Sequence, residues 1–272
     1  MNIKEALRIK KNQITDLKLL LQKKEKKDIV FPSGAKNLDK ILGGGFKKGK
    51  IYLFFGANRT GKTQLCHQIC IQTFKQLYKK QSNKSAKYSL YYDTENTFRS
   101  ERIEEISKLR QLNYKRVLNT ILVSKIMSNS ALLMSLQSVK KQIRNNSIQL
   151  LIIDTINNYY RSEMGDPAIS FSQVRNAFLN ILQKIYDLTK SFNLITILTA
   201  QITPNFIEDA IIEEYPVGLH YLNHFFSEMF YLSHKNNDEQ NLCYIHRVNS
   251  SFLPEKKLLY KITPRGLVDY KI

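Results

Sequence analysis

Tryptophan is absent from the 272 residues, cysteine occurs three times, and acidic residues number 23 against 42 Lys and Arg. Each shortage closes something off. Cys66, Cys70 and Cys243 are too few for a disulfide framework and fit a reducing compartment. Cys66 and Cys70 stand four apart on an expected helix, and two ligands do not complete a zinc site, so they read as small buried apolar residues. No apolar run approaches the ~20 residues that cross a bilayer, and the Lys-rich N-terminus lacks the apolar core of a secretory leader. The expectation is a protein of the cytoplasm, or of the nucleus in a eukaryote, with no membrane partner. The shortage of acids leaves a formal net charge of +19. Such an excess serves polyanion binding through phosphate neutralisation and counterion release. It equally accompanies a general lysine and asparagine bias, so charge alone leaves both open.

Glycine is scarce as well, and seven of the ten lie between Gly34 and Gly61. That concentration means turns and close backbone approach in one segment rather than flexible linkers. Before it, residues 1–28 read as one basic amphipathic helix, with Ile3, Leu7, Ile14, Leu17 and Leu21 at steps of three, four and seven. Too short and too charged to fold alone, it is expected to dock on the core, residues 29–272, or on another subunit. Apolar runs then alternate with helical patterns. Strands are expected at "KIYLFFG", "YSLYYD", "TILVS", "LLIID" and "LITILTAQ", with helices near 62–80, 99–111, 129–144 and 170–191. Buried strands separated by helices predict an α/β fold with a mostly parallel sheet. "EMFYLSH", "NLCYIHRV", "KLLYKI" and "GLVDYKI" have short connections and predict an antiparallel C-terminal extension.

The stretch "FFGANRTGKTQ" contains Gly56-Ala57-Asn58-Arg59-Thr60-Gly61-Lys62-Thr63, followed by Gln64. It comes after an expected strand and opens an expected helix. There the backbone N–H groups can wrap phosphates at the positive end of a helix dipole. Lys62 can reach the β- and γ-phosphates of ATP, and the Thr63 hydroxyl can bind Mg²⁺. Asp154 ends "LLIID", where a carboxylate can serve Mg²⁺; Asp93 and Glu95 follow "YY" at the end of another strand. A parallel sheet gathers such strand ends on its ligand side. Glu95 is the candidate base that orients water, and Asp93 reads as a turn or helix cap. Gln201 ends "LTAQ", placed to sense the γ-phosphate.

From about Phe31 onward, "GAKNLDKILGGGFKKGKI", "GANRTGKTQLCH", "DTENTFRSERI", "LLIIDTINNYYR", "TAQIT" and "FLPEKKLLYKITPRGL" follow one another as they do in the RecA superfamily. The chain resembles the archaeal and eukaryotic recombinase branch that includes RadA and RadB. The resemblance implies a RecA-like P-loop ATPase core that uses ATP and Mg²⁺. It implies that Arg102 stacks on adenine, that Lys62, Thr63, Asp154 and Glu95 serve the triphosphate, metal and catalysis, and that Gln201 couples ATP to DNA. It also implies single-stranded DNA binding by two loops, roughly residues 161–170 and 203–219, and work beside other recombination proteins.

The departures narrow the expectation. The second loop region carries Glu208, Asp209, Glu213 and Glu214 and no Lys or Arg, which opposes phosphate binding. The first has Arg161 beside Glu163 and Asp166, without flanking glycines. Asn96 replaces the glycine of the family's DTEG, and Asn249 stands where recombinases commonly carry an aspartate. The basic helix occupies the place of a small helical DNA-binding domain and holds no Phe-x-x-Ala tether. Lysines 75, 79, 80, 84 and 87 form an acid-free cluster, and Lys140, Lys141 and Arg144 end another helix; each reads as a solvated helix end or as DNA-contacting charge. The expected protein is a RadB-like paralogue with weak ATP hydrolysis and weak DNA binding, and a homo-oligomer is possible. The alternatives are a filament-forming strand-exchange protein and a nucleotide-switched scaffold that binds proteins.

Overall fold

The computed structural model describes residues 29–78, 85–205, 212–226, 228–235 and 241–270. The helix expected over 1–28 lies outside the described residues, as do Lys79, Lys80, Lys84, Glu208 and Asp209.

In chain order the first elements are β1 (Val30–Phe31), α1 (Lys36–Ile41), β2 (Phe46–Lys47), β3 (Lys50–Gly56) and α2 (Lys62–Leu77). The middle holds β4 (Ser89–Asp93), α3 (Ser100–Leu109), α4 (Tyr114–Asn119), β5 (Ile121–Lys125), α5 (Asn129–Ser138), α6 (Lys140–Asn145), β6 (Leu150–Asp154), α7 (Asn158–Met164), α8 (Phe171–Phe192) and β7 (Ile195–Ala200). The last part holds β8 (Ile202–Pro204), β9 (Glu214–Pro216), α9 (Leu219–Phe225), β10 (Glu228–His234), β11 (Leu242–Asn249), β12 (Lys256–Thr263) and β13 (Gly266–Asp269).

One nine-stranded sheet runs in the order β13-β12-β11-β10-β3-β7-β6-β4-β5. Its central strands β3, β7, β6 and β4 are buried at nearly every position because both faces are covered. In β3, Tyr52 and Phe54 join the core under α1 to α4, while Ile51, Leu53 and Phe55 join the core under α5 and α8. β6 divides the same way, Leu150 and Ile152 against Leu151 and Ile153. Phe54 stacks on Phe230 of β10 with centroids 5.0 Å apart; burying an aromatic of this size contributes about 2–3 kcal/mol. α8 starts with a capping box between Ser170 and Gln173 and ends on Asn193 in the left-handed region. Its buried stripe is Val174, Phe178, Ile181, Leu182, Ile185 and Leu188. Among the described residues, no helix is long and apolar enough to cross a membrane.

Two expectations change. "EMFYLSH" was expected in the antiparallel extension, but β10 pairs parallel with β3, with Phe230 opposite Phe54. The segment between β7 and β10 holds a hairpin and a helix, long enough for a crossover; the antiparallel part of the sheet begins at the β10–β11 pair and continues through β12 and β13. The helix expected over 129–144 is broken at Val139 into α5 and α6.

Candidate functional site

The phosphate loop is shaped by backbone demands at its two glycines. Gly56 has φ 148, and a Cβ there would stand 1.9 Å from the Leu232 carbonyl oxygen of β10, so only glycine fits. Gly61 caps α2 at φ 91. Between them, Thr60 Oγ1 donates to the Ala57 carbonyl at 2.8 Å, and Lys62 Nζ donates to Gly56 and Ala57 carbonyls at 2.7 and 2.9 Å. The C-terminal strands hold the loop from outside: Tyr260 of β12 donates to the Thr60 carbonyl, and His234 of β10 meets the Asn58 carbonyl at 3.1 Å. The adjoining cleft encloses about 510 Å³ and is lined by Asn58, Arg59, Lys62, Thr63, Glu95 and Asp154, among others.

Strand order explains the acidic side. β7 lies between β3 and β6, so its Thr199 reaches Asp154 at the end of β6. Asp154 is fully buried and accepts from Thr199, from Thr63 Oγ1 at 2.8 Å and from Tyr91 at 2.6 Å. Burial raises its pKa, and these three hydrogen bonds oppose the rise. Burial likewise lowers the pKa of Lys62, against the pull of Asp154, Glu95 and Glu214. Thr63 and Asp154 offer two hard oxygens at a helix N-terminus, and the described residues contain no group of three or more His, Cys, Asp or Glu that could hold a metal. That donor set fits Mg²⁺, which takes its other ligands from phosphates and water.

Glu95 stands at the same rim. Its Oε1 accepts from Thr155 Oγ1 at 3.0 Å and from Gln201 Nε2 at 2.5 Å. Gln201 is in turn fixed by Asn157, whose Oδ1 accepts from the Gln201 N–H at 2.8 Å, and its Oε1 faces Arg161 Nη1 at 3.4 Å. Asp93 accepts from the N–H groups of Glu95, Thr97 and Phe98 at 3.3, 3.1 and 3.0 Å; it caps a turn. In that turn Asn96 has φ 57, a conformation that asparagine tolerates better than other residues with a side chain. Arg102 donates to Gln64 Oε1 at 2.6 Å, the Thr263 carbonyl at 2.6 Å and the Pro264 carbonyl at 3.0 Å, and it pairs with Glu105. It therefore ties α3 to the C-terminal strands and to Gln64, which lines the cleft.

Among the described residues, both expected DNA loops contain regular structure. Residues 158–164 form α7, and β8 pairs with β9 as a hairpin, Thr203 opposite Tyr215. Of the four carboxylates read as facing DNA, Glu214 turns inward and accepts from Tyr231 at 3.0 Å. Sequence reading missed Tyr91, Thr199, Tyr260, Asn157 and Thr155. Thr199 was within reach: it lies two residues before Gln201 in "LTAQ", and a strand turns alternate residues to one side. Nothing local marks Tyr260.

His67 of α2 lies beneath this site, 1% exposed, stacked on Tyr91 and edge-on to Phe98. Its Nε2 accepts from the Arg99 N–H at 3.4 Å. Burial, then the charges of Arg102 and Arg99, push its pKa down to about 4 from 6.5, against Asp93. The unfolded chain protonates this imidazole near 6.5 and the folded one only near 4. The stability it confers is therefore complete above 6.5 and is lost as pH falls toward 4. Urea titrations at about pH 7 and about pH 4 are expected to show the wild type losing ~3 kcal/mol more than His67→Phe. Equal losses would show that the imidazole enters the fold charged.

A phosphate loop at a strand-to-helix junction, carboxylates at the ends of neighbouring parallel strands and an intervening strand bearing Gln201 define a RecA-like P-loop core. The sequence profile of the Rad51 family matches residues 24–270. The chain is 32% identical over 250 residues to the DNA repair protein Rad51 homolog of Drosophila melanogaster, covering 89% of this chain and 71% of that protein. It is 31% identical over 249 residues to the DNA repair protein RAD51 of Mycosarcoma maydis, covering 89% and 70%. It is 28% identical over 271 residues to the DNA repair and recombination protein RadA of Aeropyrum pernix, covering 98% and 80%. The chain belongs to the Rad51 family, in the archaeal and eukaryotic branch of the RecA-superfamily recombinases.

Proposed function

We propose that this protein is an ATP- and Mg²⁺-binding recombinase paralogue, RadB-like in build, that assists homologous recombination and DNA repair. It hydrolyses ATP slowly and contacts DNA weakly, alongside other recombination proteins. The observation that carries the reading is the bond from Gln201 to Glu95 at 2.5 Å. It joins the candidate base to the strand that leads into the β8–β9 hairpin, and through Arg161 to α7.

In this reading the loop amides and Lys62 bind the triphosphate, and Arg102 with Gln64 flanks the adenine. Thr63 and Asp154 would hold Mg²⁺, which when bound neutralises phosphate charge. Glu95 takes the proton of the attacking water on Oε2, since Oε1 is engaged by Thr155 and Gln201. Weak DNA contact is supported by residues 201–219, which hold four acids and no Lys or Arg.

A filament-forming strand-exchange protein is the second reading, favoured by one observation. β5 is the last strand of the sheet, and Val123, Met127 and Met134 beside it are 42%, 76% and 69% exposed. Among the described residues no strand pairs with that edge, and an open apolar edge accepts an added strand. Fluorescence anisotropy on single-stranded DNA, with and without ATP and Mg²⁺ across a salt series, separates the two. The paralogue gives weak, steeply salt-dependent binding that ATP changes less than about threefold. Cooperative, ATP-dependent binding with large particles in light scattering would establish the second reading instead.

A further inference from the structure

A second concave site lies far from the nucleotide. From Lys62 to Lys75, α2 carries the chain about 20 Å away from the phosphate loop. There the end of α2, the end of α3 and the β12–β13 turn enclose a pocket of about 370 Å³, with Lys75, Arg110 and Arg265 among its walls. Leu109, Leu112 and Val268 supply apolar lining.

The two guanidinium groups are held by carbonyls, not by carboxylates. Arg110 Nε and Nη2 donate to the Arg265 carbonyl at 3.1 and 3.0 Å, and Arg265 Nη2 reaches the Leu109 carbonyl at 3.4 Å. Two glycines seat the Arg110 fork: a Cβ at Gly34 would stand 2.6 Å from its Nη1, and one at Gly266 would stand 3.5 Å from its Nη2. Among the described residues, none of the three cations has an ion-pair partner. Burial and the neighbouring charge of Arg265 lower the pKa of Arg110. A half-buried guanidinium, Arg110, with two exposed cations beside it and no counter-ion favours the arrival of an anion.

Neighbouring carboxylates are engaged elsewhere, Asp269 by the N–H groups of Lys36 and Asn37, Glu104 by Lys108 and Glu105 by Arg102. Residues 40–92 contain eleven Lys and Arg and no Asp or Glu; residues 106–153 contain eight and none. Arg116 lies over the Tyr78 ring at 5.7 Å and Lys87 is tied to Asn119, which extends the positive face along α4. A single small anion would need only the pocket. An extended face rich in cations matches a chain of phosphates, and Lys75 with the guanidinium donors that the Arg265 and Leu109 carbonyls leave free suits phosphate oxygens.

From this geometry we infer that Lys75, Arg110 and Arg265 form a second nucleic-acid contact, which takes backbone phosphates of DNA on the face remote from Gln201 and the β8–β9 hairpin. The inference rests on the reading that this chain acts on DNA, but it does not involve the nucleotide cleft. Contact here is independent of ATP.

The test uses the full chain and a short fluorescein-labelled duplex, without nucleotide, from about 50 to about 200 mM salt. Lys75 is exposed with its charge in solvent, so Lys75→Gln is the variant that leaves the fold alone. It is expected to lower the slope of log K against log salt by about 0.9. Arg110→Gln with Arg265→Gln is expected to lower the slope by about 2 and the affinity by tenfold or more, with binding of a fluorescent ATP analogue unchanged. Wild-type slopes and affinities in both variants would overturn the inference, as would an acidic peptide that needs these residues while DNA does not. Wild-type ATP dependence of single-strand binding is scored separately, so failure of the reading above shows there and not here.

Discussion

Lys62→Ala is expected to weaken binding of ATP by about 100-fold or more and to abolish hydrolysis. The ammonium already lies across the mouth of the loop, on the carbonyls of Gly56 and Ala57, and three carboxylates favour its charge against burial. Charge-assisted hydrogen bonds are worth about 1.5–3 kcal/mol each, and alanine forfeits at least one together with the local charge. The loop itself keeps its shape in the variant, because Tyr260, His234 and Thr60 hold it independently. Titration with a fluorescent ATP analogue measures this; an affinity within about threefold of wild type would mean that nucleotide is not held here.

Glu95→Gln separates chemistry from binding. Turnover is expected to fall by about 10²–10⁴, while ATP affinity stays within a few-fold. Glutamine can still accept from Thr155 and Gln201 at Oε1, so the rim keeps its geometry and loses only the base. Single-turnover phosphate release, measured beside equilibrium binding, reads both. Unchanged release would move water activation elsewhere, and Asp93 is a poor substitute, since its oxygens already serve three backbone amides.

Much of this was legible because burial on two faces leaves an unmistakable mark. "KIYLFFG", "LLIID" and "EMFYLSH" coincide with β3, β6 and β10, since strands covered on both sides admit hardly any polar residue. The phosphate loop announced itself through glycines whose side-chain positions are filled by Leu232 and Ile262. The direction of β10 was not legible: the same run serves a parallel or an antiparallel neighbour, and the choice depends on what the preceding segment can span. The partners of Asp154 were hidden for a related reason. Tyr91 and Thr199 meet it only through the register of β4, β6 and β7, strands whose adjacency no local pattern states. The loop expected over 161–170 rested on the resemblance, and its first four residues are the end of α7, a helix too short for its periodicity to show.

The position of β3 also sets the order in which the protein can be made. Its neighbours in the sheet are β7 and β10, and roughly 140 residues separate the end of β3 from the start of β7. At ribosomal speeds that interval is about 10–30 s, during which an apolar, aromatic strand is complete and has nothing to pair with. The phosphate loop it carries is synthesised well before the strands β7 and β10 that flank it. A nascent chain stopped before Ile195 has no partner on either side of that strand, and leaves an apolar edge open to others of its kind.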